Sequence, residues 1–69
     1  MTDFERHIQL SEIFIANNNN LHSYIELCRD AKSMMNFEKF KHLSNAVEKS
    51  RKHLEKFIEE QNAKNENIA

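Results

Sequence analysis

The residues IFIANNNNLHSY, Ile13 to Tyr24, decide the fold. Four consecutive asparagines lie inside a stretch whose apolar residues keep helical spacing. Phe14 and Leu21 stand seven apart, with Asn17 on the same stripe between them. The pattern therefore resumes beyond the run in the phase it had before it. Two helices separated by a loop would share that phase only by coincidence. Asparagine is a poor helix former, so a turn at Asn17–Asn20, giving a three-helix bundle, is the competing arrangement. The register favours one helix from about Thr2 to Ser33, weakened or bent at the run.

Working outward, Thr2 and Glu5 have the spacing of a capping box, and Asp3 and Glu5 suit the positive end of a helix dipole. Leu10, Phe14, Leu21, Tyr24, Cys28, Ala31 and Met35 then recur in steps of three, four or seven. Ile13, Ile25 and Leu27 widen the stripe beyond a strict two-in-seven seam, which suits a helix packed on more than one neighbour. The break falls at Lys32–Asn36. Asn36 is the N-cap candidate for a second helix, with Glu38 in its first turn. Met35 and Phe40 have the spacing of a hydrophobic staple. Phe40, Leu43, Val47, Ser50, Leu54 and Phe57 follow in heptad steps, flanked by Phe37, Ala46 and Ile58. Glu48–Lys52 and Lys56–Glu60 form i,i+4 pairs on the charged remainder.

The fold expected is all-α: an antiparallel two-helix hairpin, residues 1–61, with helices over about 2–33 and 37–61 and a frayed polar tail at 62–69. Two copies could close a four-helix bundle as a dimer. The sequence contains no Gly and no Pro, which argues against strands joined by frequent turns. Asparagine is expected to mark the breaks instead, because it tolerates the left-handed region. A 69-residue domain buries a modest core and usually needs a staple. Cys28 is the sole cysteine, so no internal disulfide can serve. A partner or self-association is the remaining common solution. The lone cysteine fits a reducing, cytoplasmic setting. The first residues lack the basic start and apolar run of a signal peptide, and no stretch of about 20 apolar residues suits a membrane span.

Catalytic or cofactor chemistry has little support. His7, His22, His42 and His53 include no i,i+3 or i,i+4 pair for a metal, and His22 and His42 are expected at different heights of the hairpin. Cys28 lies on the apolar stripe as a small hydrophobe. Phosphate-cradling loops depend on glycine, which is absent. No enzyme activity, cofactor or metal is expected. Lys49-Ser50-Arg51-Lys52-His53 is the densest basic run, but Glu48 and Glu55 bracket it. With a formal net charge of −1, the run reads as a salt-bridged surface rather than a nucleic-acid site.

The functional signal is surplus apolar surface. Phe4, Ile8 and Ile15 form a second row offset from the main stripe, and one seam between two helices cannot cover both. Such a row marks a protein-interaction face, approached by a helix or by a second copy of the chain. Met34 and Met35 at the turn could add adaptable contacts.

The layout, and Phe37–Gln61 above all, resembles the small helical-hairpin co-chaperones of type III secretion needle subunits. That resemblance implies a hairpin packed on a helical-repeat chaperone, the pair holding a needle subunit soluble. It also implies a contact surface made of Phe4, Ile8 and Ile15 together with Phe40, Val47 and Leu54. Length and two-helix layout are similar as well to the antiparallel dimeric four-helix bundles of the plasmid copy-number RNA-binding type, although no concentrated basic and aromatic face is present. The function expected is a non-enzymatic chaperone or adaptor. The alternatives are a homodimeric bundle binding nucleic acid, or a small phage or mobile-element protein that inhibits a host factor.

Overall fold

The computed structural model describes residues 2–68, with side chains to residue 64, as α1 (Asp3–Asp30) followed by α2 (Phe37–Ile68). The helices lie against each other as an antiparallel hairpin, 55 × 17 × 17 Å, and no strand occurs among the described residues. α1 passes through Asn17–Asn20 unbroken, so the chain is a hairpin and not a three-helix bundle. Tertiary packing outweighs the propensity cost of four asparagines. Asn17 contributes directly, because its Nδ2 donates to Ala46 O across the seam at 3.4 Å.

The seam alternates steps of three and four on both helices. α1 supplies His7, Leu10, Phe14, Asn17, Leu21, Tyr24 and Cys28. α2 supplies Phe40, Leu43, Val47, Ser50, Leu54, Phe57 and Gln61. All are buried or half-buried. Leu10 is the one buried apolar residue among those described, and Ser50 the one buried polar residue. The Ser50 hydroxyl is satisfied locally, donating to Ala46 O at 2.8 Å and shared with Val47 O at 3.0 Å. The His7 and Phe57 rings meet near the open end, with centroids 6.4 Å apart.

Both ends of α1 are capped. Glu5 N–H donates to Thr2 Oγ1 at 3.1 Å, and Thr2 itself is extended. This satisfies one of the donors that a helix start leaves free. At the other end Ser33 N–H donates to Cys28 O (2.9 Å) and Lys32 N–H to Arg29 O (3.1 Å), the double bond of a Schellman cap. The left-handed residue this cap requires is Lys32, at φ 52°. The left-handed residue is thus a lysine and not the expected asparagine. Helix propensity carried the sequence reading through to Ser33, whereas the cap stops α1 at Asp30.

Asn36 does cap α2: its Oδ1 accepts from Lys39 N–H at 3.0 Å. Its own N–H donates to Tyr24 Oη at 2.8 Å, and Lys39 Nζ lies 4.9 Å from the Tyr24 ring centroid. Tyr24 therefore ties the turn to α1. The end of α2 departs from expectation too. It runs on to Ile68 rather than stopping near Gln61. Ala63, Lys64 and Glu66 are good helix formers, and no residue of the segment interrupts the backbone pattern. Only residue 69 of the expected tail lies outside the described residues.

Candidate interaction surface

The two helices distribute apolar side chains differently. α2 gathers most of them on the face that meets α1, whereas α1 carries them nearly all the way round. Phe4, Ile8, Ile13, Ile15, Ile25 and Leu27 of α1 remain exposed, against Phe37 and Ile58 of α2. One step round from the hairpin seam, α1 repeats the same spacing. Phe4, Ile8, Ser11, Ile15, Asn18, His22 and Ile25 follow in steps of four and three. This is a second seam on the same helix. A 28-residue helix built this way has the pattern of an element packed between two neighbours, and the hairpin supplies one.

Of the sequence-predicted contact residues, the structure leaves Phe4 (72% exposed), Ile8 (39%) and Ile15 (55%) on this free face. It does not bring Phe40, Val47 and Leu54 to them. Those three are half-buried in the hairpin seam against α1, and that part of the expectation is corrected. The reason is register. A heptad row on α2 can face only one helix, and α1 takes it. Ile25 and Ile58 belong to the apolar surplus of the sequence but not to its predicted contact residues. Ile25 was legible, since it continues the four–three spacing from Ile15. Ile58 lay in the sequence as a flank of the α2 row, and only the pairing shows it beside Phe4. Phe4, Phe57 and Ile58 line an open hollow of about 280 Å³ at the free end of the hairpin. At the turn end, Ile25, Cys28, Met34 and Met35 line another of about 420 Å³.

The remaining chemistry is spread out. Contacts of Asn17 with Ala46, Tyr24 with Lys39 and His7 with Phe57 pair residues whose numbers add to 63 or 64. His22 and His42 are therefore level, contrary to expectation, because the turn closes nearer residue 32 than residue 35. They still do not converge. His22 continues the Ile8–Ile15 row, while His42 lies on the opposite flank with Ala46 and Lys49. No group of three His, Cys, Asp or Glu residues that could hold a metal occurs among the described residues. Cys28 is a half-buried free thiol.

The basic run is held by carboxylates. Arg51 Nη2 pairs with Glu48 Oε1 at 2.6 Å and Arg51 Nη1 with Glu55 Oε2 at 3.0 Å, while Lys52 Nζ lies 3.9 Å from Glu48. Hydrogen bonding from Arg51, helped by the charges of Arg51 and Lys52, holds the Glu48 carboxyl below its ordinary range. The same pair raises Arg51. The expected Lys56–Glu60 bridge is not among the ion pairs of the described residues.

No helix among the described residues is long and apolar enough to cross a membrane. No protein-family model matches the chain, and no curated protein or solved structure shows significant similarity to it.

Proposed function

We propose that this protein is a non-catalytic helical interaction module, a chaperone or adaptor, that presents the free seam of α1 to a protein surface. The observation that carries this reading is that second seam: Phe4, Ile8, Ile15 and Ile25 in coiled-coil spacing on a helix whose first seam is already used. Isolated exposed apolar residues are ordinary on a protein surface, but a periodic row is a docking face. The expected partner surface is helical, because the row has the four–three spacing that interlocks with another helix. Within this reading, the layout resemblance points to a cytoplasmic secretion co-chaperone. Affinity capture tests it. The wild-type chain should retain a protein that Ile8→Asp and Ile15→Asp both lose while keeping their helical circular dichroism. Loss of helicity in both variants at every concentration would assign these residues to the hairpin core and remove the reading.

A second reading, nucleic-acid binding, has one observation in its favour. Lys39, His42, Lys49, His53 and Lys56 recur in steps of three, seven, four and three along one flank of α2. Against it, Arg51 and Lys52 of the basic run are engaged by Glu48. It predicts RNA or DNA binding that weakens steeply with salt and is lost in Lys49→Glu. Absence of binding at low salt would remove it.

A further inference from the structure

We propose that the free seam of α1 is closed by a second copy of this chain, α1 packing antiparallel on its twin about a two-fold axis at Ile15. This rests on the interaction reading above and names the occupant of that face.

The surface area argues first. The hairpin exposes 5718 Å². A compact monomer of 8.2 kDa would expose roughly 4,500 Å², so the excess is about 1,200 Å² per chain. A stable dimer buries about 800 Å² or more per partner, and obligate ones more still. One docking event therefore accounts for surface the hairpin cannot bury itself.

The row is also complementary to its own reversal. Laid antiparallel about Ile15, Phe4 meets the second copy's Ile25, Ile8 meets its His22, Ser11 meets its Asn18, and Ile15 meets Ile15. Apolar ends meet apolar ends, the central Ile15 meets itself, and Ser11 meets Asn18, while Ile8 packs on the face of the His22 ring. The Ser11 hydroxyl already donates to His7 O at 2.8 Å, which leaves its lone pairs free to accept from an asparagine amide. The ends fit in shape as well. Phe4 projects at one end of the row, and the hollow lined by Ile25, Cys28, Met34 and Met35 lies at the other. The two-fold brings each Phe4 to the other copy's hollow. A parallel pairing would set Phe4 on Phe4 and leave both hollows open. Self-complementarity of this kind is what an isologous contact requires.

The test combines solution mass with directed cross-linking in a Cys28→Ser background. Light scattering of the full chain should give twice the chain mass. Ile15→Asp should weaken association by more than about 100-fold, since the symmetry applies the substitution twice. Under mild oxidation Ile15→Cys should form a covalent dimer and Ile8→Cys alone should not, whereas a mixture of Ile8→Cys with His22→Cys should. A wild-type chain of single-chain mass at all concentrations overturns the second copy as occupant and leaves the α1 face to a different protein. Cross-linking of Ile8→Cys to itself overturns the antiparallel register. A dimer that Ile15→Asp does not weaken, and that Ile15→Cys does not cross-link, overturns this inference and the interaction reading together.

Discussion

Lys32 holds the left-handed conformation that ends α1, and it does so with a side chain. A left-handed residue with a Cβ costs on the order of 1 kcal/mol relative to glycine, which is why glycine usually fills this place. Lys32→Gly should therefore stabilise the hairpin by about 0.5–1 kcal/mol, the relief of strain being partly offset by the freer unfolded chain. Urea unfolding checks this, and no gain in midpoint would mean the Lys32 backbone is unstrained. Across the same turn, Tyr24→Phe removes the acceptor for Asn36 N–H. The loss should be about 0.5–1.5 kcal/mol and should register in the same unfolding curves. These turn details were only partly legible in sequence. Asn36 has a side chain that caps and could be recognised. Nothing in Lys32 announces a left-handed backbone, because the cap is imposed by the hydrogen bonds of the residues around it.

At the scale of the element, α1 and α2 differ in kind. α2 has one apolar face and a surface tied by Arg51 to Glu48 and Glu55. Because the folded Glu48 pKa lies below its unfolded value, its contribution is present above the unfolded pKa. It is lost as pH falls through the folded one. Acid titration followed by circular dichroism should show a small loss of helix below the ordinary glutamate range, reduced in Glu48→Gln and by added salt. Equal titration of wild type and variant would mean the pair contributes nothing, as is common at exposed sites. α1 has two faces and a polar residue in the first of them. Asn17→Leu should raise the unfolding free energy by about 1 kcal/mol, and the midpoint with it, through apolar burial, while removing the cross-seam bond to Ala46 O. A lower midpoint would show that this bond outweighs burial. The continuous α1 was legible because Phe14 and Leu21 keep phase across the asparagines. The division of labour on α2 was not, since periodicity identifies an apolar face without naming the element that covers it. Periodicity alone therefore cannot correct the contact role that the layout resemblance implies for Phe40, Val47 and Leu54, which belong to the hairpin seam.

The whole molecule is a pair of long helices with a thin core, in which Leu10 is the one buried apolar residue of those described. A single seam of half-buried side chains is little to hold a chain of this length, and helices of this kind draw most of their stability from packing. The sequence showed this imbalance as more apolar side chains than one seam could cover, and the structure locates the surplus on α1. Stability and association are then one property, because any species that binds only the folded hairpin raises its unfolding temperature by mass action.

Thermal unfolding by circular dichroism across a hundredfold range of chain concentration tests the central claim, that the free seam of α1 is a docking face occupied by a second copy. The account predicts that the wild-type midpoint rises steadily with concentration, and that Ile15→Asp unfolds at a lower temperature that does not change with concentration. A wild-type midpoint independent of concentration, with a cooperative transition, would contradict it and show that the hairpin stands alone on its first seam.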